Sequence, residues 1–264
     1  MKTRIIPFER GEAAWHLAVE EALFQSAKQQ EQPTPTVRMY SFSKPSVILG
    51  YAQRISEVNL DYCKENKVDV TMRCTGGGSV YLSPKELQYS IITPEKHSLE
   101  FLKNINTKII NALQDNGYSP QLKTSNNHPV IRMNDKSFIF DAQRRGKNVL
   151  LHHGTTMVDR EQHIHQFPSL NATSDNKLDI SLGMLWLTDI QEVREKKLVK
   201  AYEKNFPDNS FFVKSLASEE IKLAKKLYKS FYNNKKAISF GKKNYGICYL
   251  PSTQYNMEEY SIKE

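Results

Sequence analysis

Three consecutive glycines, Gly76-Gly77-Gly78, interrupt the chain between two strand-like runs, Val68 to Arg73 and Ser79 to Leu82. Glycine loses more backbone entropy on folding than any other residue and brings no side chain to a core, so neither a helix nor a strand continues through this run. The chain must turn here. What the glycines offer is access, because a backbone without Cβ atoms lets a ligand lie against its amides. Arg73, just before them, carries a planar fork suited to a carboxylate or phosphate. No G-K-[ST] follows and G-x-G-x-x-G is not matched, so neither a Walker A loop nor a dinucleotide fingerprint is present. A bare turn is the alternative, and the run by itself does not choose.

The pattern around the glycines mixes both periods. Gly11 to Ser26 sets Trp15, Ala18, Val19, Ala22 and Leu23 on one stripe with Glu20 and Glu21 off it, which predicts a helix with one buried face. Strands are predicted at Thr36 to Tyr40, Ser46 to Tyr51, Leu87 to Thr93, Val130 to Met133, Ser137 to Gln143 and Val149 to Val158. Further helices are predicted at Leu60 to Asn66, Ser98 to Gly117 and Glu219 to Tyr232, the last capped by Ser218, with a polar loop at Asn171 to Asp179. Helices interspersed with non-alternating strands favour an α+β fold over a doubly wound α/β sheet. No linker divides the chain. The expected organisation is a core over residues 1–190 and a basic helical elaboration of the same domain over 191–264.

Composition then removes several classes. At 264 residues and 39% hydrophobic content the chain can bury a core without staples. Cys63, Cys74 and Cys248 are odd in number and form no C-x-x-C pair, so a disulfide framework and a zinc ribbon are excluded and reduced thiols are expected. No apolar stretch approaches the ~18 residues of a membrane span, and a cytoplasmic location is expected. The net charge of +8 is concentrated, since Arg194 to Lys243 holds 14 basic and 5 acidic residues. That predicts a docking face for an acidic partner. Aromatic residues interleave with those lysines, but no nucleic-acid recognition motif is present, so no nucleic acid is expected.

Two further segments carry polar chemistry. In Leu151-His152-His153-Gly154-Thr155, strand alternation lets only one of the two histidines face a given pocket. His128, His163 and His165 add imidazoles without matched Cys, Asp or Glu spacing, and no metal site is expected. Asp141 to Lys147 reads as a basic turn between strands. There Gln143 could read a polar edge and Arg144, Arg145 and Lys147 could hold phosphate oxygens, with an ordinary charged hairpin tip as the alternative.

These segments, in this order, resemble the lipoate-protein ligase group of the biotin/lipoate ligase superfamily, including its octanoyl- and lipoyl-transferring relatives. Val19-Glu20-Glu21-Ala22-Leu23 is similar to that family's opening helix. Pro35 to Tyr40 followed by Pro45 to Tyr51 matches its paired strand motif, and Arg73-x-Thr75-Gly76-Gly77-Gly78-Ser79-Val80-Tyr81 matches its glycine signature. Leu87-Gln88-Tyr89-Ser90 stands where the family has N-Y-S. Ala142-Gln143-Arg144-Arg145, His152-His153-Gly154-Thr155 and the helix after Ser218 supply the remaining blocks.

The resemblance implies a central mixed or antiparallel sheet flanked by helices, and acyl transfer to a lysine of a lipoyl carrier domain. It implies activation of lipoate or octanoate by ATP with Mg2+ to an acyl adenylate, then attack by the carrier's amine. An octanoyl or lipoyl transferase without ATP, and an acyl-binding homologue with impaired catalysis, are the alternatives. Arg73, Thr75, Gly76, Gly77, Gly78, Ser79, Tyr81, Gln143, His153, Gly154 and Thr155 are the implied substrate- and ATP-binding residues. An acidic lipoyl domain or a glycine cleavage H-protein-like acceptor is the implied partner, with an accessory domain allowed and no membrane partner. The family's lysine pattern, K-x-x-G-x-A, is broken. Counting back from Ala142, the lysine position holds Ser137 and the glycine position Phe140. Lys136 is one residue early, and it serves as the catalytic lysine if a bulge turns it to the pocket.

Overall fold

The computed structural model describes residues 2–95, 98–125, 128–160, 184–205 and 209–233. The predicted loop at Asn171 to Asp179, His163, His165 and the tail with Cys248 lie outside the described residues. In chain order the strands are β1 (Thr3–Gly11), β2 (Thr36–Phe42), β3 (Ser46–Leu49), β4 (Asp69–Met72), β5 (Val80–Leu82), β6 (Leu87–Pro94), β7 (Gln121–Ser125), β8 (His128–Met133), β9 (Lys136–Ser137), β10 (Ile139–Arg145), β11 (Val149–Thr156) and β12 (Ser210–Phe212). The helices are α1 (Ala13–Lys28), α2 (Leu60–Glu65), α3 (Ser98–Gln114), α4 (Glu195–Lys204) and α5 (Ser218–Leu227), the last running into a π-helical turn at Tyr228–Tyr232.

A six-stranded sheet in the order β10-β11-β6-β2-β1-β12 forms the frame. It is mixed, antiparallel from β10 to β2 and parallel from β2 through β1 to β12. Helices flank it on both sides, giving the expected α+β architecture. Strand alternation sorts β2 cleanly. Tyr40 and Phe42 join the core under α1 and α5, whereas Val37 and Met39 join the core under α3 and α4. A second sheet, β4-β3-β5, packs into the α1 side, and a three-stranded meander, β7-β8-β9, packs beside α3.

Helix α1 departs from its predicted single buried face. Only a few of its positions reach solvent, because the central sheet, β4, α5 and the π-helical turn surround it. Glu20 and Glu21 are fully buried. Buried carboxylates persist only with partners, and both have them. Glu20 accepts from Tyr40 and sits against His153, and Glu21 accepts from the Tyr232 hydroxyl.

Three other expectations change. Strand β10 runs on to Arg145, so Asp141, Ala142, Gln143 and Arg144 belong to a strand, and the turn is the stretch from Gly146 closed by its N–H donating to Val149 O at 2.7 Å. The lysine segment ends in a break between two sheets and does not bulge within one continuous strand. Asn134 and Asp135 take positive φ in a turn, Lys136 and Ser137 pair with β8, and Phe138 then drops fully into the core before β10 begins. The described part of the basic C-terminal region is not one face. Helix α4 packs on α3 and α5 packs on α1, on opposite sides of the sheet, so Lys196, Lys197 and Lys200 are exposed on one side and Lys222, Lys225 and Lys229 on the other. No helix among the described residues is long and apolar enough to cross a membrane.

Candidate functional site

The register of the central sheet builds a cavity floor. Phe140, Thr155, Gln88 and Tyr40 align in one row across β10, β11, β6 and β2, and Ala142, His153, Ser90 and Arg38 align in the next. Residues two apart along a strand share a face, so both rows look toward α1 and the small sheet. Ile48 of β3 with Val80, Tyr81 and Leu82 of β5 form the opposite wall. Leu17, Met157 and Met184 complete a cavity of about 250 Å³. Its lining is largely apolar, with Arg73, Ser79, Gln88, Asp141, His153 and Thr155 as the polar exceptions besides the two tyrosines, the pattern of a pocket for an apolar chain with a polar end.

A buried hydrogen-bonded chain runs beside this cavity. Glu20 Oε1 lies 2.7 Å from His153 Nδ1, and His153 Nε2 lies 2.7 Å from Thr75 Oγ1. The Tyr40 hydroxyl donates to Glu20 Oε2 at 3.1 Å. Burial, reinforced by the Glu20 charge, pushes that hydroxyl well above its usual range. Arg38, fully buried, donates to the His16 carbonyl at 3.1 Å and stacks on the Tyr40 ring. On the other face of β11, His152 contacts Tyr89, and burial lowers its pKa to about 3. The two histidines of the pair thus face opposite ways.

Arg73 holds the glycine loop. Its Nε donates to Thr75 Oγ1 at 3.0 Å, Nη1 to the Ile48 carbonyl at 3.2 Å, and Nη2 to the Gly76 and Gly78 carbonyls at 2.6 and 2.8 Å. Four of its five N–H donors are therefore spent on the protein. The loop packs tightly at only two places. Gly77 has φ +94, and a Cβ on Gly50 would fall 1.9 Å from the Gly77 carbonyl oxygen. Gly76 and Gly78 face open space and all three loop glycines are exposed, so the loop presents bare backbone to solvent beside the cavity.

The family model of the lipoyl protein ligase A/B catalytic domain matches residues 12–183. The chain belongs to this family. Octanoyltransferase LipM of Brevibacillus brevis is 27% identical over 268 residues, covering 87% of this chain and 95% of that protein. Among solved structures, the bipartite lipoate protein ligase of Thermoplasma acidophilum, studied with its E2 lipoyl domain, superposes with a TM-score of 0.76 at 23% identity, covering 90% of this chain and 97% of that one. A lipoate-protein ligase A bound with ATP gives 0.74 at 24% identity, covering 90% and 99%. These structures share the fold.

Within the lipoyl ligase fold, Arg73, Ser79, Tyr81, His153, Gly154 and Thr155 come together at the cavity. Thr75 lies one hydrogen bond behind His153, and Gly76 to Gly78 flank the cavity without lining it. Gly154 must be glycine, since a Cβ there would meet the Tyr89 hydroxyl at 2.4 Å. Gln143 turns to the other face, its amide 3.2 Å from His152 Nδ1. Lys136 is not among the lining residues. Burial alone would raise the nearby Asp189 carboxyl, but hydrogen bonds from Arg160 and the Trp186 amide and the charges of Arg160 and Lys136 hold it below its usual range. The residues missed in sequence are Glu20, Tyr40 and Gln88. Their signal was present in the matched motifs, but a helical stripe assigns Glu20 to solvent.

Proposed function

We propose that this chain attaches a lipoyl or octanoyl group to a lysine of a lipoyl carrier domain, activating the free acid with ATP. The observation that carries the reading is the apolar cavity of about 250 Å³ running beside an exposed glycine loop that Arg73 braces. The cavity takes the acyl chain. The bare loop amides take the phosphate of the acyl adenylate, and the Arg73 charge behind them favours the anion although most of its donors fix the loop. Mg2+ enters with the triphosphate and neutralises its charge.

The chemistry then has two steps. A carboxylate oxygen attacks the α-phosphorus and pyrophosphate leaves; the carrier's neutral amine attacks the acyl carbonyl, AMP leaves, and the amine gives up a proton. Enclosure between the two sheets shields the mixed anhydride from water. The acidic carrier domain is attracted by lysines on the α5 side, which is the cavity's side of the sheet. The fold shared with a ligase solved with ATP supports the reading.

A second reading, transfer of octanoate from a carrier protein without ATP, is favoured by the near full-length similarity to octanoyltransferase LipM. A covalent route of that kind needs a nucleophile at the acyl carbonyl. Among the described residues Cys63 and Cys74 are buried and neither lines the cavity, and burial pushes the Cys63 thiol up to about 11. ATP–pyrophosphate exchange separates the two. Exchange stimulated by lipoate or octanoate is the expected result. No exchange, with carrier acylation from octanoyl carrier protein instead, assigns the transferase route, and neither activity leaves an acyl-binding homologue.

A further inference from the structure

Gln88 presents the cavity with a buried polar atom that the protein does not satisfy. It is 3% exposed, lies in the cavity-facing row between Thr155 and Tyr40, and lines the cavity. The Thr155 hydroxyl donates to its Oε1, which fixes the plane of the amide. Among the described residues its Nε2 has no hydrogen-bond partner. An unpaired buried amide costs about 1 to 3 kcal/mol, and such a group persists where a ligand supplies the missing acceptor.

We propose that Gln88 is a catalytic residue whose amide N–H holds the carbonyl oxygen of the acyl group and stabilises the oxyanion formed during transfer. This rests on the acyl-transfer reading above and assigns it a donor. The acceptor follows from chemistry: an alkyl tail offers no hydrogen-bond acceptor and a dithiolane only weak ones, so the carbonyl oxygen is the atom that satisfies Nε2. As the carrier amine adds, the C=O π electrons move to that oxygen; they return when AMP, or a carrier thiolate, departs. A neutral amide fixed in an apolar cavity stabilises the transient charge without reorganising. Lys136 is not among the residues lining the cavity, and Gln88 provides a donor there. The motif bears this out chemically, since Gln88 stands where the resemblance has asparagine and keeps the amide on a stem one methylene longer.

The test compares steady-state acylation of a lipoyl domain by the wild type and by Gln88→Leu, Gln88→Glu, Gln88→Asn and Thr155→Val. Losing one oxyanion donor costs roughly 100- to 1,000-fold in rate. Gln88→Leu and Gln88→Glu, which both lack the N–H, are expected to lose that much in kcat with KM for the acid changed only a few-fold. Gln88→Asn is expected to fall between, and Thr155→Val to lose less than tenfold. Equal losses in Thr155→Val and Gln88→Leu, or full activity in Gln88→Leu, would overturn the assignment. A readout independent of turnover is the infrared carbonyl band of octanamide isotope-labelled at its carbonyl carbon. The band is expected to move to lower frequency on binding the wild type and to stay unshifted with Gln88→Leu. That pattern in a protein that acylates nothing would retain the carbonyl site while sinking the transfer reading. No binding of octanamide by the wild type, or the same shift in Gln88→Leu, would sink the site itself.

Discussion

Glu20 Oε1 and His153 Nδ1 lie 2.7 Å apart in the protein interior, joining the middle of α1 to the centre of β11. Through His153 Nε2 and Thr75 the contact continues to the glycine loop, so the carboxylate sets the ring orientation that holds the loop's first residue. Replacing Glu20 with leucine strands the His153 ring nitrogen and the Tyr40 hydroxyl. A loss of about 2 to 4 kcal/mol in unfolding free energy is expected. Amide exchange at Tyr51, whose N–H donates to the Thr75 carbonyl at 2.8 Å at the start of the loop, should accelerate more than the global loss explains. Denaturant titration with site-resolved hydrogen exchange checks both, and an unchanged loop would show that the chain of bonds does not brace it.

The glycines near the site are not equivalent. Gly50→Ala forces a Cβ onto the Gly77 carbonyl oxygen, and Gly77→Ala strains a positive φ against the Arg73 guanidinium. Both variants should lose acyl transfer, and Gly50→Ala should be destabilised by more than about 2 kcal/mol. Gly78→Ala meets open space, so its stability should stay within about 0.5 kcal/mol of wild type. Thermal melts rank the three.

Stability should fall on mild acidification. Burial, with the Arg38 charge adding to it, lowers His16 to about 2, and burial, with His153 adding to it, lowers His152 to about 3, both from an unfolded value of 6.5. Below pH 6.5 the unfolded chain binds protons that the folded protein refuses, so the stability these neutral histidines hold above 6.5 is lost as pH drops toward 3. The slope approaches about 1.4 kcal/mol per pH unit for each histidine, and the loss integrates to about 1.6 kcal/mol each between pH 6.5 and 5. Denaturant midpoints at those two pH values measure it, and His152→Gln should flatten the dependence.

Much of the site was legible in sequence because local chemistry dictated it. The glycine run and Arg73 had to form an accessible turn, and alternation alone put His152 and His153 on opposite faces. Glu20 was not legible. Its burial depends on His153, 133 residues away, and on Tyr40, and helical periodicity carries no information about either. The strand around Lys136 is broken for a different reason. A bulge would have kept one continuous strand, but burying Phe138 divided the segment between two sheets. The division of the described basic residues between two sides was not legible either, because net charge per stretch of chain ignores that α4 and α5 pack on opposite sides of the sheet.

That division predicts which lysines the carrier domain meets. Lys222→Glu with Lys225→Glu on α5, on the cavity's side, should raise the carrier's KM several-fold, and the effect should fade with salt; exposed pairs contribute roughly 0.2 to 1 kcal/mol each. Lys196→Glu with Lys197→Glu on α4 should leave KM unchanged. Initial rates against carrier concentration at two ionic strengths distinguish them, and equal effects would mean that net charge alone drives docking.

The most direct measurement is the intact mass of an unmodified lipoyl domain incubated with the protein, ATP and Mg2+, and either lipoate or octanoate. The expected result is a gain of one acyl group on the domain's lysine, dependent on ATP and on the cavity, and abolished by Gly50→Ala. No gain with either acid, and none with octanoyl carrier protein as donor, would contradict it.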